Sequence, residues 1–163
     1  MNRLEEAAAE LQRALELDPL SLFFHFHLGY VLHLQRQYDR AIEVLQSAIG
    51  LDPNFYLAHW VLGVIHSVKG MYDQSIATLQ KAAALSSRSP LVLGLMGHNH
   101  GRAGRKPEAR KLLEEVEERA KTAYVPAYCF AWLYVGLGEE DTALNYLEKA
   151  VLEERTPLIV HLG

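Results

Sequence analysis

The side chains in this sequence best suited to chemistry are its eight histidines and its single cysteine, Cys129. His25 and His59 are separated by 34 residues, and so are His66 and His100. Equivalent positions on neighbouring helices stand about 8–10 Å apart. A metal ion needs three or four ligands converging at about 2 Å. His98 and His100 lie two apart and cannot face one point on a helix. The histidines therefore read as substitutes for aromatic residues at packing positions, and no metal or cofactor is expected. Cys129 lacks an evident base or orienting group and reads as a buried structural thiol. No Gly-rich phosphate loop, nucleophile elbow or zinc-protease signature occurs. With no convergent site to name, the chain is not expected to be an enzyme.

The charged residues give an equally plain answer. Arg102 to Lys121 mixes both signs, with Glu115/Arg119 and Glu117/Lys121 four apart in the favourable order. This reads as a solvated face. Its basic subset, Arg102, Arg105, Lys106, Arg110 and Lys111, would touch acid or phosphate only weakly. A net charge of −4 and a pI near 6.0 give no basis for nucleic-acid binding. One cysteine excludes an internal disulfide and a multi-cysteine metal cluster. No run of about twenty apolar residues exists to span a membrane, and Met1 to Glu10 lacks an apolar signal-peptide core. These features together point to a cytoplasmic protein.

The elements that position these residues follow from a fixed period. Gly29, Gly63 and Gly97 are spaced by 34 residues, and Ala131 takes the next place. Twelve positions after each comes Ala41, Ser75, Ala109 or Ala143; four further on a leucine stands every time, at Leu45, Leu79, Leu113 and Leu147. Ala48, Ala82, Val116 and Ala150 complete the pattern. Four blocks align without a gap, as 22–55, 56–89, 90–123 and 124–157. Each reads as two helices, because apolar residues recur at three- and four-residue spacing on either side of a short polar turn. Gly70, Gly104 and Gly138 hold one place in three of those turns, where a helix ends in a left-handed residue. The small residues let helix axes approach closely, and the leucines fill the seams. Leu4 to Pro19 aligns with a second helix only, giving a half-repeat over 4–21. The tail, 158–163, supplies Leu158, Ile159, Val160 and Leu162 but no polar closing helix. Since solenoids are normally capped by polar ends, both ends read as cut from a longer protein.

At this point the residues match a known pattern, W-x2-L-G-x2-Y followed by A-x3-F, A and P. The closest block reads His25-x2-Leu28-Gly29-x2-Leu32, then Ala41-x3-Leu45, Ala48 and Pro53. The next reads His59-x2-Leu62-Gly63-x2-His66, then Ser75-x3-Leu79 and Ala82. Over essentially its full length the chain resembles the tetratricopeptide repeat (TPR) family. It departs from the pattern where histidine, leucine or alanine replaces the opening aromatic. It departs again where Ser87, Lys121 and Arg155 replace the closing proline, so those inter-repeat turns should be less regular. The last block also loosely resembles the final repeat of bacterial signalling and regulatory proteins. The resemblance implies an all-α, right-handed superhelix of stacked antiparallel helix pairs.

It also implies that first helices line a concave groove. That groove would offer Phe23, Phe26, His27, Tyr30 and His33 in the first block, and Leu57, Trp60, Val64 and Ser67 in the second. The third would add Leu91, Gly94, Leu95 and His98; the fourth, Val125, Tyr128 and Trp132. Trp60 and Trp132 stand out as anchors because their places lie outside the repeat's own packing pattern. Lysine, asparagine and arginine are absent from these positions, which argues against capture of a carboxylate tail. The expectation is a scaffold for a protein or peptide with apolar or aromatic anchors. The alternative is self-association through apolar ends, giving a homo-oligomer. Histidine would make such a groove mildly pH-sensitive.

Overall fold

The computed structural model describes residues 3–152, which form nine α-helices and no strand. α1 (Arg3–Leu17) packs on α2 (Leu22–Leu34), and α3 (Tyr38–Leu51) returns antiparallel to it. The pairing repeats as α4 (Tyr56–Val68) with α5 (Tyr72–Leu85), α6 (Pro90–Arg102) with α7 (Lys106–Ala120), and α8 (Ala127–Leu137) with α9 (Glu140–Leu152). The apolar tail beginning at Leu158 lies outside the described residues.

Local chemistry explains where the helices start and stop. The Ser21 side chain accepts a hydrogen bond from the Phe24 N–H at the start of α2. Pro90 opens α6, where a missing N–H costs nothing. The four turns inside the pairs share one hydrogen-bond scheme. The N–H groups of Gln37, Met71, Arg105 and Glu139 reach back to the carbonyls of Leu32, His66, His100 and Tyr134. Each turn needs one left-handed residue. Gly70, Gly104 and Gly138 supply it at φ 73°, 80° and 80°, and Arg36 supplies it in the first turn at φ 61°.

Two of the small-residue crossings follow the spacing. A β-carbon at Gly29 would lie 2.7 Å from Leu45, and one at Gly63 would lie 2.6 Å from Leu79. The third crossing differs. Gly97 is overlain by Leu133 of α8, because α6 packs directly against α8 rather than only against its own partner helix. Gly94 faces the Cys129 carbonyl at 2.9 Å from its β-carbon position, and Gly101 and Gly136 bring the two backbones into contact. Glycine at these sites lets the helices approach far more closely than side chains permit.

Two departures from the repeat pattern bond to each other. Ser75 stands where other blocks have alanine, and Asn99 where they have Val31, Ile65 and Leu133. Both are fully buried. Asn99 Nδ2 donates to Ser75 Oγ at 3.0 Å and to the Leu95 carbonyl at 2.8 Å, while Ser75 donates to the Gly63 carbonyl at 2.6 Å. Buried polar groups persist when they find such partners.

Of the three inter-repeat turns lacking proline, the one at Ser87 is irregular, as its sequence implied, and the one at Arg155 lies outside the described residues. Ser87 and Arg88 both adopt left-handed φ, 51° and 57°. Arg119 of α7 clamps this turn by donating to the Arg88 carbonyl at 2.9 Å, and Arg88 forms an ion pair with Glu115 at 2.6 Å. The i,i+4 pairs expected along α7 are thus replaced: Glu115 is held by Arg88, and Lys121 pairs with Glu118 three residues back. Tethering an adjacent strained turn gives Glu115 and Arg119 a fixed partner that a solvated helix face does not.

Candidate groove between the first helices

The C-terminal halves of α4, α6 and α8 converge on a cavity of about 420 Å³. Its apolar lining comes from Val64 and Val68 of α4, Leu95 of α6, and Trp132 and Val135 of α8. Ser67, Tyr72 and His98 add polar atoms, and Arg36 and Arg102 bring positive charge to its wall. Arg36 Nε donates to the Tyr38 hydroxyl and Arg102 Nε to the Tyr72 hydroxyl, each at 3.5 Å. No aspartate or glutamate contributes to the lining.

Of the residues expected to form a groove, Val64, Ser67, Leu95, His98 and Trp132 line this cavity. Phe23, Phe26, His27 and Tyr30 sit elsewhere, on α2. Phe23 is 60% exposed and rests on the His27 ring, with 3.9 Å between centroids. Phe26 and Leu91 are half-buried against the core and Leu57 is half-buried, whereas Trp60, Val125 and Tyr128 lie in the core and His33 is buried. Gly94 is likewise covered, by the backbone of α8.

Two expectations need correction. Trp60 and Trp132 do not stand outside the packing: their exposures are 1% and 2%. Every residue from Ala58 to Ile65 is buried, because α2, α3, α5 and α6 all pack on α4. A helix apolar on all sides is a core helix. Trp132 is packed edge-on against Tyr128 at 5.2 Å and reaches the cavity while mostly covered. Secondly, although the expected groove positions carry no arginine, Arg36 and Arg102 line the cavity. Arg102 follows Leu95 and His98 on the same face of α6, so extending that face by one turn would have found it. Arg36 sits in a turn, where its only signal is that it stands in the place of a glycine.

The histidines bond mainly to backbone. His25 Nδ1 lies 2.9 Å from the Ser21 carbonyl, and His59 Nε2 lies 3.0 Å from the Pro53 carbonyl. His98 Nδ1 faces the Trp132 carbonyl at 3.3 Å, tying α6 to α8. Among the described residues no three His, Cys, Asp or Glu side chains are placed to hold a metal ion. Cys129 is buried.

Burial pushes the His98 imidazole down to about 4, against some support from the Trp132 carbonyl. The unfolded chain therefore takes up a proton below about pH 6.5 that the folded chain refuses until about pH 4. His98 leaves stability unaffected above that window and erodes it as pH falls through it. Between pH 7 and pH 5 the parent should lose on the order of 2 kcal/mol more than His98→Gln. Urea titrations at the two pH values would check this; coincident losses would contradict it.

These observations define the class as a stacked helix-pair solenoid. Two tetratricopeptide repeat models match the sequence, over residues 1–54 and 32–98. The chain belongs to the tetratricopeptide repeat family. A crystal structure of MamA superposes with a TM-score of 0.64 at 23% identity, covering 93% of this chain and 89% of that one. MamA residues 41 to the end, from Desulfovibrio magneticus RS-1, gives 0.67 at 17% identity, covering 96% and 88%. The APC/C hetero-tetramer Cut9–Hcn1 gives 0.72 at 20% identity, covering 95% of this chain and 29% of that one. At these identities the likeness is one of fold, a right-handed α-α superhelix. No curated protein matches the chain. A protein-interaction scaffold is the function that this family and fold support, and the family is generally non-catalytic. No helix among the described residues is long and apolar enough to cross a membrane.

Proposed function

We propose that the chain binds a protein or peptide segment in the cavity between α4, α6 and α8. Four repeats, 22–55, 56–89, 90–123 and 124–157, preceded by the half-repeat 4–21, would supply the frame. The observation that carries this reading is a cavity left open between α4, α6 and α8, on which Val68 is exposed and Val135 half-buried while Val64, Leu95 and Trp132 are nearly covered. A surface of that kind gains free energy when an apolar side chain displaces its water. Membership in a repeat family of interaction scaffolds supports it, and the similar chain in the Cut9–Hcn1 structure is part of a hetero-tetramer.

A random peptide library selected against the immobilised chain tests the site. Ser67→Trp fills the cavity and should abolish binding of the selected peptides, while Glu114→Trp on the exposed face of α7 should leave it intact. Equal binding by both variants would place the site elsewhere.

A second reading, self-association, draws on apolar side chains exposed near both ends. Leu17 and Leu20 are 89% and 71% exposed, and Leu152 on α9 is 76% exposed. Sedimentation showing a monomer at high concentration would reject it.

A further inference from the structure

We propose that the segment taken by this cavity is acidic, an apolar side chain flanked by carboxylates that Arg36 and Arg102 receive. The inference rests on the groove reading above and specifies its partner.

The chain carries more acidic than basic residues, 20 against 16, yet the cavity holds two arginines and no acid. The acids nearest in sequence to its wall are already engaged: Asp39 with Lys69 at 3.5 Å and Asp73 with Arg105 at 2.6 Å. Other arginines are paired off as well, Arg88 with Glu115 and Arg110 with Glu139. Arg36 and Arg102, like Arg40 and Arg119, form no ion pair among the described residues, and of these four only Arg36 and Arg102 line the cavity. Each makes only a long contact, 3.5 Å, from its Nε to a phenol, which leaves the outer guanidinium nitrogens to bind a carboxylate as a planar fork.

The backbone adds an independent observation. Arg36 occupies the left-handed position that glycine fills in the other three turns. Glycine takes that conformation freely, whereas a side chain there is strained. An arginine kept at a strained position beside this cavity fits a role in binding. Arginines at helix C-termini also offset the helices' own partial negative charge, but that role is indifferent to the charge of a ligand.

The experiment uses fluorescein-labelled, end-blocked peptide pools in which one leucine, isoleucine or phenylalanine is flanked by Asp and Glu, with a matched pool carrying Asn and Gln. Fluorescence anisotropy at low salt should show the acidic pool binding about tenfold or more tightly than the amide pool. Arg36→Gln with Arg102→Gln should remove that difference, while Arg110→Gln should keep it. Arg36→Gly should weaken the acidic pool yet melt no lower than the parent, which separates lost contact from lost fold. Equal binding of both pools would overturn the acidic partner and leave the groove reading standing. Loss of the preference in Arg110→Gln as readily as in the cavity variants would overturn the assignment to these arginines. Binding of neither pool would overturn this inference, while the library selection decides the groove reading by itself.

Discussion

Replacing Gly101 with alanine should destabilise the chain by about 3 kcal/mol or more, since overpacking that only backbone movement can relieve lies at the upper end of its usual range. A β-carbon at Gly101 overlaps the carbonyl group of Gly136, and one at Gly136 would lie 2.5 Å from His98 Cα. Neither neighbour is a flexible side chain that could swing away. α6 and α8 would have to part, breaking the contact of Gly94 with Cys129 and the seat of Leu133 on Gly97. Gly50 on α3 is the internal comparison. Nothing lies within 4 Å of its β-carbon position. Gly50→Ala should therefore stabilise the chain by roughly 0.5–1 kcal/mol, the ordinary helix-propensity gain. Urea denaturation of both variants reads the contrast. Equal and small effects would mean that α6 and α8 are not in backbone contact.

Truncating Trp60 to alanine should cost about 3–5 kcal/mol, although its place in the repeat first marks it as a contact for a partner. At 1% exposure the indole has no face to offer one. Its removal would leave a cavity in the central first helix, bounded by four other helices. Lost binding in this variant would therefore report lost structure. Thermal or chemical unfolding would show the penalty directly. A Trp60→Ala variant as stable as the parent would return the tryptophan to the list of contact residues.

These two cases mark what could be read in the sequence. The 34-residue register, the Gly29–Leu45 and Gly63–Leu79 crossings, and the left-handed turns at Gly70, Gly104 and Gly138 are local, because each depends on one helix pair. The covering of Trp60 and the direct seating of α6 on α8 depend on how one pair rotates against the next, and a spacing rule within a pair does not contain that rotation. The same limit hid part of the cavity. Val64, Ser67, Leu95, His98 and Trp132 were reached by extending helical faces, but Arg36 and Tyr72 enter from a turn and the start of a second helix. Ser75 and Asn99 look like unrelated polar substitutions until the fold brings α5 and α6 together.

The claim that the cavity between α4, α6 and α8 is the place where a partner binds is tested most directly by backbone and methyl NMR of the labelled chain, titrated with a peptide selected from the random library. Shifts should concentrate at Val64, Ser67, Leu95, His98 and Val135 and at the indole of Trp132, with α7 unmoved. Shifts centred on α3, α5 or α7, or none at saturating peptide, would contradict it.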